Sequence, residues 1–258
     1  MMKTDIKIVV IAHKPYKMPN NPIYYPIEVG AISREKHFSN YQDDLGKDNI
    51  SKKNPYYCEL TGIYWAYKNL NYDILGLVHY RRYFVKNCFC LRKSLSNIID
   101  SETIIRLLKT NDFILPKKRH YYIETNYSHY CHSHKKEALD VTGAVIKGKF
   151  PEYFPYFEKQ MKKRSGHYFN MFIAKKEIIN PYLDWLFSVL FEVEKNLDLS
   201  EYTGYDQRVF GFISELLLDT YIMKNQLTFH DQKYIFMEKQ NWPKKVCAFL
   251  KRKFCIKK

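Results

Sequence analysis

At 258 residues the chain is long enough for one large α/β domain with a sizeable core. Its formal net charge of +15 favours an anionic partner, whether nucleic acid, an acidic membrane surface or a phosphorylated substrate. The cysteines, at Cys58, Cys88, Cys90, Cys131, Cys247 and Cys255, form no CxxC pair, which excludes zinc-ribbon and dithiol redox motifs. No signal-peptide pattern and no bilayer-length apolar run occurs, so a cytosolic protein with reduced thiols is expected. Tyrosine is abundant, at 23 residues, and a ring that keeps a hydroxyl in play suits a polar cleft as well as a core.

Ile6–Ala12 reads as a first, buried strand, and Pro15 prevents it from continuing past His13. This is the opening of a nucleotide-binding α/β domain, without GxGxxG or a P-loop, and it makes His13 a candidate nucleotide contact. Residues 40–55 are polar and turn-rich, and a helix is predicted from about Tyr56 to Asn69, with Leu60, Ile63, Tyr64 and Tyr67 at helical spacing. Asp48, Asn49 and Asn54 precede that helix and Glu59 lies in its first turn. Helix starts favour anions, so the group is either a phosphate-binding corner or an ordinary capped start.

Asp73–Tyr80 is the next strand. Its apolar run Ile74–Val78 suits a strand covered on both faces, and it ends in His79-Tyr80-Arg81-Arg82. Ligands gather beyond the carboxyl ends of such strands, and paired guanidinium groups suit a phosphate or diphosphate. Neighbouring side chains on a strand face opposite sides, so both arginines serve one ligand only if the chain turns there.

A helix over Ser101–Lys109, capped by Ser101, and a strand over Asp112–Leu115, stopped by Pro116, come next. Lys117–His134, rich in Tyr and His, reads as a loop or mobile flap touching polar substrate through Tyr121, Tyr122, Tyr127 and His129. The cluster His129, Cys131, His132 and His134 fits no standard zinc spacing. Helices are predicted at Lys135–Lys147, Pro151–Lys163, Lys176–Asn196 and Tyr205–Lys224, and strands at Tyr168–Ala174, Gln226–His230 and Lys233–Glu238. Gly166–Phe172 can bring backbone close to a ligand. Asp206 opens a helix, where the dipole favours an acid and where it can act as a base or orient a sugar hydroxyl. Residues 239–258 lack any acid. They interleave basic residues with Trp242, Val246, Phe249, Leu250 and Phe254, the profile of a helix lying on an anionic membrane, against which stands a solvated or RNA-binding extension. The domain is therefore expected over residues 1–238, with a membrane-associating tail behind it.

The segments DNISKKNPYYCELTGIYWAYKN, DILGLVHYRRYF, ILPKKRHYYIETNYSHY, GHYFNMFIAKKE and YDQRVFGFISE resemble, in order and spacing, a bacterial family of capsular and exopolysaccharide glycosyltransferases formerly catalogued as a domain of unknown function. The resemblance runs from Ile6 to about Phe254. It implies a GT-A-like fold, one α/β domain around a mixed, mostly parallel sheet with the sugar nucleotide at the strand ends. It also implies transfer of a hexose, such as galactose in pyranose or furanose form, from a nucleoside-diphosphate sugar (UDP-sugar first) to a lipid-linked glycan at the inner membrane face. In many GT-A enzymes the strand matching Ile74–Val78 ends in Asp-x-Asp, which holds a divalent metal. Here His79-Tyr80-Arg81 takes that place, so transfer without Mn or Mg is expected, Arg81 and Arg82 neutralising the diphosphate. By the same resemblance Gly166–Phe172, with His167 and Asn170, contacts donor sugar and acceptor. Asp206, beside Gln207, is the expected catalytic base of an inverting enzyme, with Glu59 the second candidate; in a retaining enzyme Asp206 instead positions the sugar. A nucleic-acid-binding protein and a non-catalytic glycan-binding protein are the rival classes. The first lacks a recognition motif, and its charge gathers in the tail and in short clusters.

Overall fold

The computed structural model describes residues 4–86 and 93–238. The strands are β1 (Ile6–Ala12), β2 (Tyr24–Glu28), β3 (Tyr41–Gln42), β4 (Ile74–His79), β5 (Arg82–Phe84), β6 (Phe113–Pro116), β7 (Arg119–His120), β8 (Ser165–Gly166), β9 (Phe172–Lys175), β10 (Phe229–Gln232) and β11 (Tyr234–Phe236). The helices are α1 (Asn54–Tyr57), α2 (Leu60–Asn69), α3 (Ser101–Leu107), α4 (Asn126–Ser133), α5 (Lys136–Lys149), α6 (Phe154–Lys162), α7 (Lys176–Lys195) and α8 (Val209–Lys224).

The main sheet has the order β10-β6-β9-β4-β1-β2-β3. Every strand on this path runs one way except β9, which is antiparallel to both β4 and β6. The antiparallel pair β5–β11 hangs from the end of β4, and β7–β8 form a separate two-stranded ribbon. This is the mixed, mostly parallel α/β sheet expected of a GT-A-like fold.

Side-chain alternation along β1 supplies both cores. Val9 and Ile11 face one cluster with α2, α5, α6, α7 and α8, while Ile8 and Val10 face another with Ile104 and Leu107 of α3. Gly76 marks the tightest point of the sheet. A methyl group there would lie 2.7 Å from Ile8 Cδ1 and 2.8 Å from Ile173 Cγ1. A larger residue there would have to push the Ile8 and Ile173 side chains aside and would press on the Phe172 carbonyl at 3.2 Å.

Several elements differ from the sequence expectation, each for a local reason. The helix predicted over Tyr56–Asn69 is broken at Cys58 (φ 52°, ψ −123°), which separates α1 from α2 and leaves Glu59 at the start of α2. Asp100, not Ser101, caps α3 by accepting from the Thr103 amide at 3.0 Å. The stretch read as a flap contains β7 and the helix α4, which Thr125 and Ser128 start as a capping box. The strand predicted from Tyr168 begins only at Phe172, because Phe169 and Asn170 adopt left-handed backbone (φ 76° and 49°). β2 was hidden by Pro26, which cannot donate to a ladder. Burying Tyr24 and Ile27 stabilises the strand by roughly 1.5–3 kcal/mol each, more than the ~1 kcal/mol of one missing hydrogen bond. The predicted basic tail lies outside the described residues.

Candidate active site

Because β1, β2, β4, β6 and β10 run in one direction, their carboxyl ends share one edge of the sheet. α2 and α8 each descend from that edge toward the start of a strand, so their N-termini lie there too. The edge collects His13, Gly30, His79–Arg82, Phe169–Asn170, Glu59 and the turn Asp206–Arg208.

One side of this edge is cationic. The His13 pKa is pushed down by partial burial and then by the charges of Arg81, Lys14, Arg34 and Arg208. These four cations therefore surround one point at the end of β1. Arg34 is anchored there by donating to the His13 carbonyl at 2.6 Å, with its Nε 3.4 Å from Oε1 of the wholly buried Glu28. Arg81 pairs with Glu238 at 3.2 Å, and Arg208 Nε lies 3.3 Å from Cys58 Sγ. Tyr80 bridges His13 and Tyr16 by edge contacts, with ring centroids 5.2 and 4.7 Å away. Tyr16, Met18, Phe38 and Tyr41 line a neighbouring cavity of about 270 Å³.

The other side is built on a buried carboxylate. Glu59, 7% exposed, accepts from Asn170 Nδ2 at 2.7 Å. That amide also donates to the Gly211 carbonyl at 3.0 Å, and Asn170 Oδ1 accepts from the Ser214 hydroxyl at 2.9 Å. Asn170 is thus clamped to the first turns of α8, and the strained backbone at Phe169 and Asn170 is what brings it there. The Phe169 carbonyl accepts from His79 Nε2 at 2.5 Å, which places the proton on that nitrogen. Burial lowers the His79 pKa; Glu59 opposes the shift, and Arg82 adds to it. The Arg82 guanidinium lies 4.3 Å over the Phe169 ring. Glu215, one turn beyond Gly211 on α8, joins this group. Its pKa is pushed up to about 7 by burial and then by Glu59, with Arg82 opposing.

The chain does turn after His79, and the two guanidiniums, though both lie over the Phe236 ring at 5.6 and 5.1 Å, have different other neighbours. Arg81 looks toward His13, Tyr80 and Glu238, while Arg82 looks toward Phe169, Glu59 and Glu215. Asp206 and Gln207 stand in the turn before α8. Asp206 Oδ1 is 3.4 Å from His134 Nδ1, and His134 stacks on Phe212, with the ring of the largely exposed Tyr205 against both.

Other expected site residues are elsewhere. Asp48 and Asn49 sit by the far end of α2: the Asp48 carbonyl accepts from Asn69, and Asn49 donates to the carbonyls of Asp44 and Gly46. α2 ends where β4 begins, so this loop lies at the opposite edge of the sheet. Asn54 is at the right edge but is consumed by structure, donating to the Cys58 carbonyl and the Thr61 hydroxyl. Thr61, in turn, donates to the buried Asp43, which also accepts from the Gly30 and Ala31 amides. The His167 side chain is fully buried between Asp219 (2.5 Å) and Asp231 (2.8 Å), and no face of it is open to sugar. Tyr127 donates to Asp140 and lines a groove of about 500 Å³ between α4, α5 and α6. His129 and His132 both hold Glu124 through Nδ1, at 2.7 Å, and His129 stacks on Tyr121. Tyr122 is 78% exposed at the β7 end of the cleft. Among the described residues no cluster of three or more His, Cys, Asp or Glu side chains is placed to hold a metal.

Arg34, Arg208 and Glu215 were missed from sequence. For Glu215 a signal existed: α8 is apolar on every side, yet carries Glu215 and Asp219 at i, i+4. Both acids have special partners.

Residues 7–226 match a family described as a domain of unknown function, DUF4422. The fold is similar to the apo structure of WbbM, a bifunctional glycosyltransferase, with a TM-score of 0.80 and 31% sequence identity. The match covers 91% of this chain and 46% of the WbbM chain, so the protein spans about half of that relative's length. No curated protein matches. With the family match extending over most of its length and a GT-A-like sheet beneath it, the chain belongs to the DUF4422 family.

Proposed function

We propose that the protein is a glycosyltransferase that moves a hexose from a nucleoside-diphosphate sugar, UDP-sugar first, to a lipid-linked glycan acceptor. The observation that carries this reading is the pairing, at one sheet edge, of four cations around His13 with the buried, fixed carboxylate of Glu59. The cavity of Tyr16 and Phe38 takes the base. Arg81, Arg34, Lys14 and Arg208 take the diphosphate, and fixed cations stabilise the charge that develops as it leaves.

In the transfer step an acceptor oxygen bonds to the anomeric carbon, the bond from that carbon to the diphosphate breaks, and the hydroxyl proton passes to a carboxylate. Glu59 is held in place by Asn170 and suits the proton acceptor. Asp206, on the rim with Gln207 and the exposed Tyr205, then faces the acceptor sugar, whose apolar face stacks on an aromatic ring. Asp206 is the alternative base.

A hard cation takes several oxygen ligands, and the end of β4 offers, beside the Glu59 and Glu215 carboxyls that answer to Arg82, an imidazole committed to the Phe169 carbonyl and two guanidinium groups, which favours transfer without a metal. Transfer is therefore proposed to be metal-independent. A panel of nucleotide sugars, assayed in excess EDTA, is expected to show release of nucleoside diphosphate from one donor. Activity abolished by EDTA and restored by manganese or magnesium overturns metal independence. No release or binding with any donor, metal added or not, overturns the enzyme reading.

A further inference from the structure

We propose that the turn at Tyr122 and Ile123, with the basic runs 117–119 and 162–164 beside it, is a docking surface for an anionic lipid bilayer. It is a second membrane contact, made by the folded domain rather than by the tail. Its meaning for a lipid-linked acceptor rests on the transferase reading above, but the surface itself stands on exposure and charge.

Of the large hydrophobic side chains exposed among the described residues, Tyr122 is the most exposed, at 78%, and only Tyr122 and Ile123, at 53%, are adjacent. The backbone holds them out. Tyr122 has φ 58°, which a bulky residue rarely adopts, and the Ile123 amide donates to the Tyr121 carbonyl at 2.6 Å. The surroundings enforce this strained turn. Arg164 Nη1 donates to the Tyr122 carbonyl at 3.0 Å, and the Tyr121 amide donates to the Arg164 carbonyl at 2.8 Å. On either side the chain is anchored, with Tyr121 and Glu124 buried. The turn follows β6 through β7, so it stands at the sheet edge that carries the proposed site.

Lys117, Lys118 and Arg119 lead into the turn, and the pairing of β7 with β8 brings Lys162, Lys163 and Arg164 alongside. Lys118 lies 4.8 Å over the Phe229 ring and Lys163 2.9 Å from Met223 Sδ, so those two are seated in the fold. Lys117, Arg119, Lys162 and Arg164 are exposed. The acids nearby are already engaged: Glu124, 4% exposed, with His129 and His132, and both Asp219 and Asp231 with His167. An apolar tip is thus set among cations. An anionic bilayer complements both parts, its headgroups meeting the cations while Tyr122 and Ile123 enter the interfacial layer. Tyrosine suits that layer because its ring is apolar and its hydroxyl stays wet. An RNA surface would stack bases on aromatic faces, and the aliphatic Ile123 offers none. Stable anchoring takes two signals, so the turn and the tail act together.

The test uses the full chain with vesicles of brominated phosphatidylglycerol or brominated phosphatidylcholine. Ile123→Trp combined with Trp242→Phe puts a reporter indole at the turn, while Trp65 and Trp185 stay buried in the core. Phosphatidylglycerol vesicles are expected to quench the reporter, and phosphatidylcholine vesicles to leave it bright. Vesicle binding without quenching overturns the surface. Tyr122→Ser with Ile123→Ser should weaken co-sedimentation with phosphatidylglycerol about tenfold or more. Ile105→Ser, at an exposed position on α3, should leave it unchanged. Lys117→Gln with Lys162→Gln should also weaken it about tenfold, and more so at low salt. Unchanged sedimentation in both double variants overturns the proposal. So does loss of single-stranded RNA binding, or of transfer to a soluble glycan, in those variants with vesicle binding intact. Quenching in a protein that releases no nucleoside diphosphate from any donor leaves the surface standing and removes the transferase reading.

Discussion

Arg81 and Arg82 are adjacent in sequence and differ in what they can do. Among the described residues Arg81 is ion-paired with the part-exposed Glu238, and such an exposed pair contributes about 0–1 kcal/mol. The proposed diphosphate, offering charge-assisted bonds of about 1.5–3 kcal/mol, is expected to displace Glu238. Arg82 stacks on Phe169 and answers to Glu59 and Glu215. Arg81→Gln is therefore expected to weaken nucleoside-diphosphate binding about tenfold or more by calorimetry, with Arg82→Gln close to the unaltered protein. Equal losses in both variants would place the two guanidiniums, which share the Phe236 ring, on one ligand and overturn this division of roles. Asn170 is a second residue whose importance is not visible in its type. An amide with both ends buried and bonded costs about 1–3 kcal/mol per partner left unsatisfied, so it fixes Glu59 by holding α8.

At the scale of elements, the junction of β8, α8 and β10 is held by His167 between Asp219 and Asp231, and the His167 amide also donates to Asp219. Burial alone would lower the His167 pKa, but the two carboxylates together raise it above 6.5. Its stabilising contribution is therefore complete below about pH 6.5 and is lost as pH rises through the folded value. Asp231 behaves oppositely. His167 lowers its pKa below 3.8 against burial, so its contribution is present above that pH and lost as pH falls through the folded value. The cluster is strongest between about pH 4 and 6.5. Asp231→Asn is expected to lower Tm in that window and to flatten the decline of Tm on the alkaline side. A variant whose Tm falls in parallel with the unaltered protein from pH 5 to 9 would show that the cluster does not titrate in this range. The same junction explains why His167 cannot serve a sugar: its two nitrogens are already the fastening between a helix and an edge strand.

At the scale of the whole molecule, the described residues form one main sheet and a two-stranded ribbon, and the proposed site gathers where the parallel strands of the main sheet end. The net charge of +15 includes eight basic residues between Lys239 and Lys258, with apolar side chains interleaved. No helix among the described residues is long and apolar enough to cross a membrane. The basic, apolar tail remains our proposed contact with an anionic membrane carrying the acceptor. Deletion after Glu238 is expected to abolish co-sedimentation with phosphatidylglycerol vesicles while sparing transfer to a soluble acceptor. Retained binding would assign the membrane contact to the main domain.

How much of this was legible in the sequence follows from how local each cause is. β1, β4, α7 and α8 were readable because apolar run length and helical spacing are properties of a few successive residues. The strand-end motif His79–Arg82 was readable for the same reason, since a buried strand of six residues announces where it ends. Asp48 and Asn49 were misplaced because nothing local says which end of α2 a loop folds against; Asn69 decides it. His167 was misjudged because its partners lie 52 and 64 residues away. Glu215 was passed over although an acid in an all-apolar helix is itself a signal. The sequence alone determined that this is an α/β chain with arginines at a strand terminus. Only the tertiary structure decided that the two arginines take different neighbours while sharing the Phe236 ring, that Cys58 breaks a helix so that Glu59 can lean on α8, and that a left-handed turn at Phe169 and Asn170 joins Glu59 to His79. Those outcomes depend on contacts between distant segments, where packing and charge, rather than local spacing, set the geometry.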